Sequence, residues 1–189
     1  MVRSFSDTPL ARPVLDDLLD TAVRTPSAGN TGGVDAVVLV GPHETARLWE
    51  ATTTERWRAT ARRWPGLRRA PAAVVFFADP EAYAARYRQP DKAAAGLGET
   101  AAWPVPYWFV DGGFPVLLLL LAATDAGLGA CFVGNFRGEA ALAAALGVPA
   151  GRRYVGTVLL GHPDGADPPS ASVGRGRRPV DEVVHFGRW

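Results

Sequence analysis

Between Asp111 and Asp125 the chain reads Gly-Gly-Phe-Pro-Val-Leu-Leu-Leu-Leu-Leu-Ala-Ala-Thr, thirteen residues without a charge. Read as a helix over 112–126, this stretch is apolar on every side, so it has to be buried all round. Thirteen residues between two carboxylates fall short of the roughly 20 that span a bilayer as a helix. The rest of the chain must therefore build a core around it. Residues 72–78, Ala-Ala-Val-Val-Phe-Phe-Ala, offer the first partner. An apolar run of that length without alternation is the pattern of a buried strand.

Residues 13–24 carry Val14, Leu15, Leu18, Leu19, Ala22 and Val23 at the spacing of an amphipathic helix. Pro13 suits its first turn, and Thr25-Pro26 ends it, because a residue before proline avoids the helical region. A loop of Ser-Ala-Gly-Asn-Thr-Gly-Gly (27–33) leads into a buried strand over 36–40. Residues 42–57 read as a helix and 80–87 as a short one. The segment 89–106 turns to Gly, Pro and Ala and reads as a mobile lid. Gly127 and Gly129 stop the central helix before a short strand over 130–133. A small helix over 139–146 and a strand over 153–161 follow. A Pro/Gly/Ser-rich stretch (163–174), an arginine cluster and an extended piece over 183–186 close the chain. Strands interspersed with helices, without a repeat or a long linker, predict one domain over 1–189, α/β or α+β, with a single sheet.

Several functions are excluded early. Lys plus Arg number 20 against 19 Asp plus Glu, a net charge of +1, without the positive excess of a nucleic-acid binder. The lone Cys131 removes any intrachain disulfide or multi-Cys metal site. His43, His162 and His185 lie far apart and near no carboxylate pair, so no metal is expected. Gly127-x-Gly129 follows a helix and enters a strand, the reverse of a pyrophosphate-binding turn. The first twenty residues hold Asp7, Asp16, Asp17 and Asp20 and no signal-peptide core. A cytoplasmic protein without a membrane or nucleic-acid partner is expected.

Residues 56–69 carry Arg56, Arg58, Arg62, Arg63, Arg68 and Arg69 around Trp57 and Trp64. RNA contact or capture of a cofactor phosphate would use such a set. The favoured reading is plainer: a solvated helix face with arginine stems over tryptophan rings. Two other features carry more. In an extended chain Arg175 and Arg177 share a face, and two guanidinium groups on one face make a phosphate clamp. The loop Pro26-Ser27-Ala28-Gly29-Asn30 leaves a helix with small residues and a side-chain amide, suited to a flat polar ligand.

These segments together resemble the FMN-dependent nitroreductase family over nearly the whole chain. The resemblance is carried by Arg3-Ser-Phe-Ser-Asp7, Thr25-Pro-Ser-Ala-Gly-Asn-Thr31 and Asp111-Gly-Gly. It continues through Leu-Ala-Ala-Thr-Asp-Ala-Gly-Leu-Gly-Ala-Cys-Phe-Val-Gly134, Leu146-Gly-Val-Pro149, and Arg177-Arg-Pro-Val-Asp-Glu-Val-Val-His185 with Arg188-Trp189. It implies an α+β three-layer sandwich, a central and mostly antiparallel sheet flanked by helices. It further implies an intertwined homodimer with C-terminal strand exchange through an arm over 175–189, and FMN at the subunit interface. An all-apolar helix is then natural, since its second face would pack on the partner.

The implied activity is ping-pong reduction of nitroaromatic, quinone or enone-type small molecules, driven by NADH or NADPH. By this resemblance Arg175 and Arg177 hold the FMN phosphate, with Arg3 and Ser4 assisting. Pro26, Ser27 and Asn30 meet the isoalloxazine or ribityl atoms. Val133, Gly134 and Asn135 turn backbone N–H groups toward the flavin N5. Trp103, Tyr107 and Trp108 wall the substrate side, next to Phe109. No side-chain acid or base is needed, because the cofactor does the chemistry. The alternatives are an FMN-dependent oxidase or dehydrogenase of a specialised metabolite, and a non-catalytic flavin-binding relative. Two departures keep the last alive. The arginine that family members carry a few residues before the position of Arg3 is absent, so either the true start lies upstream or phosphate binding is weakened. Gly32 also stands where a glutamine is usual, which is expected to loosen the loop.

Overall fold

All seven residues of Ala72–Ala78 are buried, which demands a strand inside a sheet with a layer on each face. The computed structural model describes residues 1–60, 64–135, 137–167 and 170–189. Its strands are β1 (Val34–Val40), β2 (Ala72–Ala78), β3 (Gly129–Val133) and β4 (Arg153–Gly161). They form one sheet in the order β1-β2-β4-β3, with every neighbouring pair antiparallel. Of the two classes left open by the sequence, the fold is α+β.

The helices are α1 (Arg12–Ala22), α2 (Gly41–Thr52), α3 (Glu55–Thr60), α4 (Pro80–Tyr87), α5 (Tyr107–Asp125) and α6 (Glu139–Leu146). Strand alternation sorts the core into two faces. Val74, Phe76, Val158 and Leu160 point toward α1 and α5, meeting Leu15, Leu18, Val116, Leu119 and Ala123. Val75, Phe77, Cys131 and Leu159 point the other way, toward Leu48 and Trp49 of α2 and Leu142 of α6. The result is a layer of helices on each side of the sheet. Each fully buried leucine, valine or phenylalanine contributes about 1.5–3 kcal/mol. Cys131 is one of these packed groups, and burial pushes its thiol above the usual range.

Four expectations need correction. Helix α5 begins at Tyr107 rather than Gly112, so Asp111 lies inside it and is buried. The helix runs through Gly112, where a Cβ would stand 2.8 Å from Val155 Cγ2; glycine lets α5 lie close on β4. Nor is α5 buried all round in the single chain. Tyr107, Val110, Phe114, Leu117 and Leu121 form one exposed stripe, with Leu117 56% and Leu121 58% accessible. By length and composition α5 could cross a bilayer, yet Val116, Leu119 and Ala123 on its other side are core.

The helix expected over 42–57 is broken in two. Thr53 is extended (φ −131°, ψ 154°) between α2 and α3. Three β-branched residues follow one another there, and the Thr52 and Thr53 hydroxyls turn back onto the carbonyls of Leu48 and Trp49. Such back-bonding weakens helix continuation. Finally, 183–186 is not a strand. A 3-10 turn at Val180–Glu182 leads into irregular chain, and Phe186 and Trp189 are 93% and 99% exposed. A strand needs a neighbour for its N–H and C=O groups, and the tail has none among the described residues.

Candidate functional site

Two of the expected binding segments rise from the same end of the sheet, at opposite edges. The loop 26–33 runs into β1 at Val34, and the turn 133–135 leaves β3 at Val133. Strands lie about 4.8 Å apart, so three spacings separate these edges by roughly 14 Å. One chain therefore presents two half-sites.

Val133, Gly134 and Asn135 line a cavity of about 330 Å³ with Trp49, Thr52, Thr53, Thr54, Trp57 and Arg137. Its wall is stiffened by Trp57, which stacks on Trp49 at 6.2 Å and 16° between planes. Arg58 Nη1 donates to the Thr53 carbonyl (2.8 Å) and holds the α2–α3 break in place. The side-chain nitrogen Nδ2 of Asn135 is buried without a hydrogen-bond partner among the described residues. A buried orphan donor costs about 1–3 kcal/mol, so this amide marks a place where an acceptor belongs.

The other half-site is a closed loop. Gly29 and Asn30 have positive φ (64° and 54°). The Asn30 N–H donates to Ser27 O, and the Gly32 N–H to Ser27 Oγ, both at 2.9 Å. Asp111 Oδ2 accepts from the Ala28 N–H (2.7 Å) and from the Tyr83 hydroxyl (2.9 Å). Arg86 Nε donates to Gly29 O at 2.8 Å. Burial and Asp111 push the Tyr83 phenol well above its usual range, so it remains a donor. Pro26, Ser27, Gly32, Gly33 and Asp111 edge a second cavity of about 220 Å³. Gly32, expected to loosen this loop, is hydrogen-bonded within it. Its φ of +63° is one that glycine adopts readily, and its N–H is tied down. Asn30 itself is exposed.

The expected acceptor wall divides. Trp103 and Trp108 are buried, packed edge-on against Tyr83 at 5.9 and 6.3 Å, while Tyr107 is 44% exposed. Trp103 also meets Tyr87 at 4.8 Å, and its Nε1 donates to Leu97 O (2.9 Å). The segment 89–106 thus folds onto this cluster through two 3-10 turns, Ala93–Ala95 and Thr100–Ala102.

The phosphate residues are not gathered in the single chain. Arg3 donates its backbone N–H to Asp167 Oδ2 (2.6 Å) and lays its guanidinium over Trp64, 4.9 Å from the ring centre. Ser4 is buried and donates to Asp164 Oδ2 (2.9 Å), which Arg69 also binds. The Ala166 N–H, Ser4 and Arg69 together hold the Asp164 carboxyl below its usual range against some desolvation. Arg175 ends a 3-10 turn, and Gly176 (φ 67°) separates it from Arg177. The extended geometry behind the clamp is therefore absent here, and both arginines are exposed. In the 56–69 segment, Arg58 and Arg69 serve as internal ties, and Arg3 lies over Trp64. Arg62 and Arg63 lie outside the described residues.

Asp111, Tyr83, Tyr154, Trp57 and the Thr52–Thr54 run escaped the sequence reading as site components. Only Asp111 carries a usable signal, as a carboxylate at the mouth of an apolar run and part of the Asp111-Gly-Gly motif, but neither reading gives it a role in the site.

This α+β sandwich is the fold of solved nitroreductase family proteins. A nitroreductase family protein from Streptococcus pneumoniae TIGR4 is 20% identical with a TM-score of 0.71, over 97% of this chain and 94% of its own. A structure from Exiguobacterium sibiricum 255-15, described as a nitroreductase in complex with FMN, is 17% identical with a TM-score of 0.71, over 98% and 91%. The sequence is also 28% identical to 4-nitrobenzoate reductase of Nocardioides sp. (strain LMS-CY), over 98% of this chain and 85% of that protein. The model of the Nitroreductase family matches residues 1–162, and the chain belongs to that family of oxidoreductases.

Proposed function

We propose that the protein is an FMN-dependent oxidoreductase. It works as a cytoplasmic homodimer that uses NADH or NADPH to reduce small nitroaromatic, quinone or enone-type acceptors. The observation that carries this reading is the cavity at Val133–Asn135. It combines an aromatic wall, a glycine turn and an orphaned amide donor. A flat ring system bearing carbonyl oxygens and ring nitrogens satisfies that donor set. FMN bound there would supply the two-electron chemistry, taking electrons from NAD(P)H and giving them to the acceptor in alternating, ping-pong order.

The chain's own residues bind and orient. The Gly134 N–H and the Asn135 side-chain amide would favour negative charge on the ring edge without rearranging. Pro26, Ser27 and Asn30 lie beyond the opposite edge of the sheet, three strand spacings or at least about 14 Å away. In a dimer, the loop of one subunit would face the turn of the other, which supports placing the cofactor at the interface. Arg3, Ser4, Arg175 and Arg177 are assigned to the phosphate. For the arginines of the tail this requires the arm to leave its exposed position and cross to the second subunit. Trp103, Tyr107 and Trp108, with the segment 89–106, form the acceptor side, of which Tyr107 is the exposed member.

The deciding experiment is the visible spectrum of the purified protein, with the chromophore identified after heat release. Stoichiometric FMN, bleached anaerobically by NADH or NADPH and restored by 4-nitrobenzoate, is the expected result. No flavin, even after incubation with FMN, overturns the reading.

A further inference from the structure

The turn at 133–135 lies beyond the last paired residue of its strand, since the β3–β4 ladder ends at Val133 opposite Thr157. Something other than the ladder has to hold it. The register of β4 against β2 supplies the means. Phe76 pairs with Gly156 and Phe77 with Tyr154, so Val155 is an extra residue, a β-bulge. A bulge re-aims the side chains that follow it. Without it, strict alternation from Thr157 would put Tyr154 on the α1–α5 face. With it, Val155 takes that face, packed beside Val116 and Trp108. Tyr154 falls on the opposite face, with Phe77 (edge-on, 6.0 Å) and Val133.

From there the Tyr154 hydroxyl donates to the Val133 carbonyl at 2.9 Å and lies 3.0 Å from Thr157 Oγ1. Burial pushes the phenol up to about 12, against smaller opposite pulls from the Thr157 hydroxyl and the Asn135 N–H. It is therefore protonated and able to donate throughout the working range. The tyrosine is itself held from behind. Glu139 Oε1, at the start of α6, accepts the Tyr154 N–H at 3.0 Å and Arg153 Nε at 3.1 Å. Burial raises the Glu139 carboxyl, but these two donors outweigh it and leave it ionised below its usual range.

We infer that Tyr154 is a positioning residue of the site: delivered by the bulge at Val155, it holds the turn through the Val133 carbonyl and the Asn135 N–H, so that the Gly134 N–H and the Asn135 side-chain amide face the cofactor. This rests on the reading of the 133–135 turn as the flavin contact. Val155 and the Tyr154 ring pack against the core, but packing does not account for the hydroxyl and its bond to the turn.

Tyr154→Phe tests the inference, since it keeps the ring against Phe77 and removes only the hydroxyl. Amide exchange is measured first, in protein stripped of flavin. Loss of one hydrogen bond to the turn corresponds to about a tenfold change in an equilibrium, and the Asn135 amide, which bonds to the Tyr154 hydroxyl, should exchange about tenfold faster. FMN should bind roughly fivefold to tenfold more weakly, and the midpoint potential of bound flavin should fall, because fixed dipoles no longer favour its reduced, anionic form. Unchanged exchange, affinity and potential in a folded variant overturn the inference. So does a lowered Tm with unchanged exchange at the turn, which would make the hydroxyl merely structural. If the wild-type protein binds no FMN, the functional reading fails by itself, and the exchange result still decides whether Tyr154 holds the turn.

Discussion

The double variant Leu117→Glu, Leu121→Glu is expected to run as a monomer that retains no FMN. These leucines are the most exposed large side chains on α5 and belong to the stripe Tyr107, Val110, Phe114, Leu117, Leu121. The spacing of that stripe alternates three and four residues, the seam along which helices pack. In a two-fold dimer each position occurs twice. Removing four leucines from an interface forfeits about 1.5–3 kcal/mol apiece, and the buried glutamates add a desolvation penalty. The association constant should therefore fall by at least about four orders of magnitude. Light scattering behind size exclusion reads the mass, and the visible spectrum reads the flavin. The single chain should stay folded, because Val116, Leu119 and Ala123 on the opposite side of α5 are untouched. A dimer that survives both charges would move the interface elsewhere.

Asp111→Ala carries the largest expected loss within one chain. It strips the acceptor from two donors, the Ala28 N–H and the buried Tyr83 hydroxyl. An orphaned buried donor costs about 1–3 kcal/mol, so about 4 kcal/mol of stability should go. At about 2–4 °C per kcal/mol for a chain of this size, Tm should drop by roughly 10 °C or more. Thermal unfolding followed by circular dichroism measures it. Adding Tyr83→Phe should recover part of the loss, since the hydroxyl is then no longer stranded. A strictly additive double variant would mean that the Tyr83–Asp111 bond carries no weight. Asp111→Asn, which keeps one acceptor, should fall between the wild-type and alanine forms. FMN retention should decline along the same series, because Asp111 anchors the loop holding Ser27 and Asn30.

Much of the fold was legible because its signals are local. The unbroken apolar run of residues 72–78 identified the inner strand, and residues 139–146 and 153–161 were bounded as they are found. The errors share a cause, which is that propensity and tertiary contact disagreed. Gly112-Gly113 looked like the start of a helix, but Gly112 lies inside one, close against Val155. Three threonines in a row broke a helix that hydrophobic spacing alone would have continued. The site was legible as segments, not as geometry. Pro26–Asn30 and Val133–Asn135 were named, whereas Asp111 and Tyr154, which hold them, come from elements distant in sequence.

The sequence by itself determined most of the element types, the apolar run of the central helix and the family motifs, because periodicity, Gly and Pro punctuation and local composition act within a few residues. Only the tertiary structure decided the antiparallel order β1-β2-β4-β3, the bulge that turns Tyr154 over, and the separation of two half-sites to opposite edges of the sheet. Those depend on strand register. A shift of one residue in register leaves composition and spacing unchanged while sending every side chain to the other face.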